Sequence, residues 1–579
     1  MPGRARALAL AACAVALMGA LAGCGSSSSP GSSADPASVI PEGAALFASA
    51  TVRPSGSLKS AAETDGKDLT HQADPYLRLL GALQTPGSPQ LNYTRDVAPW
   101  LGLSAGVYLS SLGSTGPLVS LLEQSLLGGS SSAATSFPFS SSGEQGALVL
   151  DTSDSSKADS FLKTQAGHAG AHSTSYRGIS YQATSGGVAF ALVDRLAVIG
   201  SESAVHSVID TSLGGASLAR SSGYSKLLAK APTGVLAHIY SDPTALGSSP
   251  SPGGAGANAS ASGLLSLLSG GAQANISLVP SSGSLTLDAD TLPGAGGPKP
   301  STSGLLSADP ESAKALEELP GESWLAIGLG HLAGSLAQDV SGLKALGSLG
   351  STPGVSSPEG ATTSTLSIKS LIDAMTAPLS ALGAATKQAQ QEFASWMGSA
   401  GIFASGSSLL ELKAAIVIES KNAALSRAAV SKLASQLRSG GGSLRPVSIP
   451  GTEAAQGVAL TGLPLVLDIA DGRASDGKSK FVLGFGEASV QDALKPSSTM
   501  GNSETRSSAS TALGEGIQPS IVFQVPTLLS LLEGIDLTED PTISKFVPYL
   551  RAVATVSGGG KELGGEVERF RLGLGLSAG

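Results

Sequence analysis

Short apolar runs alternate along this chain with stretches whose apolar positions recur every three or four residues, and Gly, Pro, Ser and Asp clusters separate them. The runs Ala44–Val52, Ser104–Ser111, Ala147–Asp151, Ser175–Ala183, Gly187–Val193, Leu196–Gly200 and Gly234–Ser241 predict strands, and Gln273–Val279 with Ser284–Thr291 predicts a hairpin. Helical spacing marks Glu202–Leu213 and Ser217–Lys230, and Leu118, Leu121, Leu122 and Leu126 share one helical face. Asp154 is the expected N-cap of a helix to Gln165, and Asp242-Pro243 reads as an N-cap and N1 pair. Strands follow one another directly or in hairpins, so the expected class is α+β with a mostly antiparallel sheet and packed helices.

The pattern then starts again. Leu319-Pro320-Gly321-Glu322 follows the sense of Ile40-Pro41-Glu42-Gly43, and Trp396-Met397-Gly398 that of Trp100-Leu101-Gly102. Ser399-Ala400-Gly401 matches Ser104-Ala105-Gly106 with one residue fewer in between. Phe481–Val490 aligns ungapped with Leu196–Val205, Ile521–Pro526 with His238–Pro243, and Val553–Leu574 with the hairpin. The expected organisation is two homologous α+β domains, 38–295 and 308–579, joined by a linker at 296–307. A repeat of this length is domain-sized and excludes a solenoid. The second copy carries an insert, Ser341–Gln391, in which Ile368, Leu371, Ile372, Met375 and Leu379 form an apolar face.

The first residues carry an address. Arg4 and Arg6 precede the apolar run Ala7–Ala20, which suits a signal-peptide core and is short for a spanning helix. Leu21-Ala22-Gly23-Cys24 follows and resembles the lipobox of bacterial lipoproteins. This implies cleavage after residue 23, a palmitate-type lipid on Cys24, and residence on the extracytoplasmic face of the cell membrane. Residues 24–37, rich in Ser and Gly, are the expected flexible tether.

Composition narrows the rest. Among 579 residues there are two cysteines, Cys13 in the apolar run and Cys24, so no disulfide or thiolate metal site is expected in the mature chain. Net charge is −9 and aromatics make up 4%, without a basic stripe, which argues against nucleic-acid binding. No later stretch is apolar for long enough to span a bilayer. The expected partners are the membrane, through Cys24, and an apolar ligand or an envelope component.

The segments VIPEGAALFASATV, DVAPWLG, SYRGISY, LAVIGSESAVHSVID and SLARSSGYSKLL together resemble a family of bacterial extracytoplasmic proteins labelled domain of unknown function 3352. The resemblance covers most of the chain, most clearly its first half, and implies no activity or catalytic residue. The second half departs from it with Met397 in place of Leu101 and no YRG strand.

Candidate chemistry is thin. Gly102-Leu103-Ser104-Ala105-Gly106 fits the G-x-S-x-G nucleophile elbow, but Ser104 reads as strand where the elbow needs a strand-turn-helix. A serine hydrolase using Ser104 is therefore the alternative, beside a solute-binding receptor of a transporter, whose usual parallel α/β lobes the strand order disfavours. His168 and His172 are four apart in an expected loop, and His206 and His238 sit at ordinary helix and strand positions. Asp288 and Asp290 share a strand face expected to be solvated. Gly328-Leu329-Gly330 lacks the third glycine of a dinucleotide fingerprint. The expectation is a non-enzymatic protein with no cofactor and no metal. Its amphipathic stretches Pro117–Leu127 and Ile368–Leu382 either pack on the sheets or cover an apolar cavity.

Overall fold

A computed structural model describes residues 33–70, 80, 83–85, 88–110, 145–242, 272–293, 308–331, 394–408, 410–439, 442–459, 466–534, 538, 544 and 546–577. Cys13, Cys24, His71 and the amphipathic stretches Pro117–Leu127 and Ile368–Leu382 lie outside the described residues. Helices and strands are mixed, and every strand pairing with a resolved register is antiparallel. The chain divides into two compact units, one drawn from Ala9–Pro300 with Leu563–Val567, the other from Ser301–Glu562 with Glu568–Ser577.

In the first unit the elements are β1 (Leu46–Thr51), α1 (Gly56–Thr70), β2 (Leu101–Leu109), β3 (Gly146–Thr152), α2 (Ser155–His168), β4 (His172–Tyr176), β5 (Ile179–Ala183), β6 (Val188–Val193), β7 (Leu196–Ser201), α3 (Glu202–Ser212), α4 (Ser222–Leu228), β8 (Ala237–Ser241), β9 (Gln273–Ser281) and β10 (Ser284–Leu292). Strands lie in the order β4-β5-β6-β7-β3-β2-β1-β8-β9-β10. The central strands are buried on both faces, which is why they read as continuous apolar runs. One face packs Val198, Ala191 and Phe47 with Val205, Val208 and Ile209 of α3 and Tyr224 of α4. The other packs Trp100, Leu150 and Phe190 with Phe161 and Leu162 of α2. Asp154 caps α2 as expected, accepting from the Lys157 amide at 3.0 Å.

In the second unit the elements are α5 (Pro310–Glu317), β11 (Leu325–Leu329), β12 (Met397–Ser405), β13 (Lys413–Ser420), α6 (Ala423–Ser439), β14 (Ser443–Arg445), β15 (Thr452–Ala459), β16 (Val466–Arg473), β17 (Ser479–Phe485), α7 (Glu487–Leu494), α8 (Glu504–Leu513), β18 (Gln518–Gln524), α9 (Val525–Glu533), α10 (Val547–Ala552), β19 (Val553–Gly564) and β20 (Val567–Leu576). Their order is β14-β15-β16-β17-β13-β12-β11-β18-β19-β20, the same succession as in the first unit.

Local details recur with it. The β2–β3 register shifts between Leu101 and Ala105, and the β12–β13 register between Met397 and Ala400. The second irregularity is one residue shorter, as the spacing of the serines predicts. Ser153 N donates to Trp100 O at 2.8 Å, and Lys421 N to Trp396 O at 2.8 Å. Pro41 bridges Ser217, and Pro320 bridges Thr499.

Four sequence expectations need correction. Ser175–Ala183 is not one strand: β4 and β5 turn at Arg177 (φ 49) and Gly178 (φ 87), left-handed conformations that suit a tight hairpin. The ungapped match of Leu196–Val205 with Phe481–Val490 holds for the helices but slips in the strands. Ala147 pairs with Gly200 and Ala415 with Gly484, so Leu196 corresponds to Lys480, and Gly486 (φ 80) is one extra residue before α7. Because side chains alternate, that slip exchanges inward and outward positions. Likewise Leu46 pairs with Ser241 and Leu325 with Phe523, so Ile239 corresponds to Ile521, and His238 does not. Finally, order begins before residue 38. Asp35 caps a short 3-10 turn, Pro36–Ser38, and Pro36 and Ala37 are buried, so the expected tether loses its last residues to the fold.

Candidate functional site

Helix α3 offers one polar face to the β4–β5 hairpin, because Glu202, His206 and Asp210 are spaced four apart. Tyr176 stacks on His206 with ring centroids 3.9 Å apart, and Tyr181 meets the same imidazole edge-on at 5.3 Å. Tyr181 Oη donates to Glu202 Oε1 at 2.6 Å, and His206 Nε2 lies 2.8 Å from the same phenol oxygen. A carboxylate only accepts, so the phenol proton points to Glu202 and the imidazole supplies its Nε2–H to Tyr181. Burial pushes the Tyr181 hydroxyl up to about 12, with the Glu202 carboxylate acting in the same direction. The phenol is therefore a fixed neutral donor. Tyr176 Oη donates to Asp210 Oδ2 at 3.3 Å, and Arg177 Nε pairs with Asp210 Oδ1 at 3.0 Å. The Arg177 guanidinium carbon lies 6.0 Å from the Tyr176 ring centroid, and its side chain is well exposed.

The result is a rigid patch of two phenols, an imidazole, a guanidinium and two carboxylates. It can stack on a planar group and present both donors and acceptors. At the corresponding places of the second unit stand Glu487, Gln491 and Lys495 on α7 and its end, and Ala455 for Tyr181. The strand order common to both units does not require this patch. From the sequence alone His206 reads as an ordinary helix position; the available signal is the i, i+4, i+8 spacing of Glu202, His206 and Asp210 opposite two tyrosines.

The other candidates disperse. Ser104 lies within β2, where its Oγ donates to Ala34 O at 3.0 Å, and the strand continues past it to Leu109. His168 ends α2 and His172 begins β4, so the two are not neighbours in one loop. Asp288 and Asp290 are fully buried rather than solvated. Pairing aligns His238, Ser277 and Asp288 across β8, β9 and β10, but the serine stands between the other two. It is fully buried and accepts from Asn275 Nδ2 at 3.0 Å. That row lacks the Ser-His-Asp sequence of contacts that a nucleophile relay needs. Gly328 and Gly330 serve packing: a Cβ on Gly328 would run into the Ser312 carbonyl of α5, and Gly330 N donates to Ser312 Oγ at 2.7 Å. His331 Nδ1 lies 2.6 Å from Asp309 Oδ2 beside α5. Among the described residues no group of three or more His, Cys, Asp or Glu side chains is placed to hold a metal, and no helix is long and apolar enough to cross a membrane.

A family profile described as "Protein of unknown function (DUF3352)" matches residues 5–516. The chain belongs to the DUF3352 family. The DUF3352 match takes in the whole aromatic–imidazole patch and stops before β18. No curated protein and no solved structure matches the chain.

Proposed function

We propose that this protein is a lipid-anchored binding protein of the cell envelope, acting through a surface of its first unit rather than by catalysis. The observation that carries the reading is the Tyr176–Tyr181–His206–Arg177 patch, held by hydrogen bonds and lacking in the second unit. The lipobox Leu21–Cys24 supplies the anchor and the extracytoplasmic address. The common strand order, the paired register shifts and the two equivalent tryptophans support descent of both units from one duplicated domain. Ligand capture in an apolar cavity rests on Pro117–Leu127 and Ile368–Leu382, outside the described residues, so the surface patch is the better supported contact. Ser104 in mid-strand weighs against the hydrolase alternative, and the antiparallel sheets weigh against a transporter receptor.

The anchor is tested by metabolic labelling with an alkyne-bearing palmitate. The native chain takes up label and Cys24→Ala does not; equal labelling of both overturns the anchor. Binding is tested in intact cells with a photocrosslinking residue at Arg177 and, separately, at Ser185 in the β5–β6 turn. Adducts specific to position 177 are expected, and identical patterns at both positions remove the patch as the contact.

A further inference from the structure

The segment leading from the lipobox is fastened to the first unit by a buried carboxylate. Asp151, at the end of β3, is 1% exposed. It accepts from Ser33 Oγ at 3.1 Å, Ala34 N at 3.1 Å and Leu103 N at 3.0 Å, and Arg195 Nη2 stands 3.7 Å away. Ser104 Oγ adds a bond to Ala34 O at 3.0 Å. Gly102 leaves the room, since a Cβ there would overlap the Asp151 carboxylate. Charge-assisted bonds of this kind are the strong ones, and three donors on one buried carboxylate make a firm clasp.

Between Cys24 and Ser33 only eight residues remain, Gly25 to Ser32. Fully extended they reach about 30 Å, and a Ser/Gly chain of that length averages roughly 16 Å end to end. The edge of the sheet carrying the clasp must therefore stay near whatever holds Cys24. That edge presents two guanidinium groups beside the Leu101–Thr152 pair. Arg53 Nη1 donates to Leu101 O at 2.8 Å, and Arg195 Nη2 to Thr152 O at 3.1 Å. The Arg195 side chain is well exposed and Leu103 is 37% exposed. The opposite end of the sheet, at the β5–β6 turn, is about 20 Å away along the six residues of β6.

We propose that this clasped edge, with Arg53, Arg195 and Leu103, is the membrane-facing surface of the first unit and meets anionic phospholipid headgroups. The inference rests on the lipid anchor of the preceding section. The guanidinium groups lie within reach of the negative surface potential, and each basic residue near such a surface strengthens apposition by roughly fivefold. Leu103, beside them, enters the interfacial layer.

The test uses the full mature chain on vesicles, with a fluorophore on a cysteine introduced at Leu103 or at Ser185. Both positions are exposed, and Cys24 is consumed by the lipid. Headgroup-quencher lipids are expected to quench the Leu103 probe several-fold more than the Ser185 probe. The contrast should be larger on phosphatidylglycerol than on phosphatidylcholine, and should collapse when Asp151→Ala opens the clasp. Equal quenching at both sites, or stronger quenching at Ser185, overturns the orientation; no difference between the two lipids overturns the headgroup contact. The same probes on a Cys24→Ser chain, held on nickel-chelating vesicles by a histidine run placed before residue 24, separate the two readings. A retained contrast there with no palmitate on the native chain keeps the clasped edge and removes the natural anchor.

Discussion

Asp468 is the buried group whose removal is expected to strengthen the fold. It lies on β16, is 1% exposed, and its Oδ1 has no hydrogen-bond partner among the described residues. Burial pushes its carboxyl up to about 6, and the Glu487 carboxylate at the start of α7 adds to the shift. Relative to the ordinary 3.8 this is about two pH units, worth up to about 3 kcal/mol at 1.36 kcal/mol each. The folded chain thus holds this proton more tightly than the unfolded chain. The contribution is fully favourable below about pH 4 and is lost as pH rises through about 6. Asp468→Asn keeps the shape and cannot ionise, although its amide must also find a partner. A net gain of about 1–3 kcal/mol at pH 7.5 is expected, which at 2–4 °C per kcal/mol raises the midpoint by roughly 2–12 °C. The gain should vanish at pH 4. Two of the three tryptophans, Trp324 and Trp396, lie in the second unit, so fluorescence-monitored unfolding in a Trp100→Phe background follows that unit alone. A variant no more stable than its parent at pH 7.5, or equally stabilised at both pH values, would refute the reasoning.

Other outcomes follow from the same contacts. Trp100 packs on Phe161 at 5.0 Å and Trp396 on Phe481 at 5.1 Å, both 1% exposed, so Trp100→Ala and Trp396→Ala should each cost about 3–5 kcal/mol in urea denaturation of the unit concerned. A loss below about 1 kcal/mol would contradict their place in the cores. Gly328→Ala must push α5 off β11 and should lower the melting temperature clearly, whereas Gly43→Ala, with open space around its Cβ, should leave it nearly unchanged. Burial pushes His238 down to about 4, so it adds stability above pH 6.5 that fades as pH falls toward 4. His238→Gln should flatten that acid-side slope, and an unchanged slope in differential scanning calorimetry would count against it.

The strands were legible because β3, β7 and their counterparts are buried on both faces and cannot hide among polar loops. The antiparallel class followed from their direct succession. Polar segments with structural roles were not legible. Asp288 and Asp290 read as solvated from their chemistry alone, yet both are fully buried. Ser33–Ala37 read as tether because Ser and Gly surround it, although Ser33-Ala34-Asp35-Pro36 recurs as Ser307-Ala308-Asp309-Pro310. Both aspartates cap the turn that follows, accepting from Ala37 N and Glu311 N at 2.9 Å. Of the candidate patch, the helix spacing was visible, but its juxtaposition with Tyr176 and Tyr181 depends on the Arg177–Gly178 turn, which a nine-residue polar and apolar run concealed.

Gly486 bears on how the two halves can be recombined. A chimera that grafts α3 onto β17, or α7 onto β7, inherits its helix in phase only if the splice accounts for that single residue. Cut on the wrong side, Val490 and its neighbours rotate by about 100° about the helix axis, and the graft meets the sheet with a polar stripe. Exchange between the halves is therefore modular at the level of whole strand-and-helix pairs, and the spare glycine marks the seam.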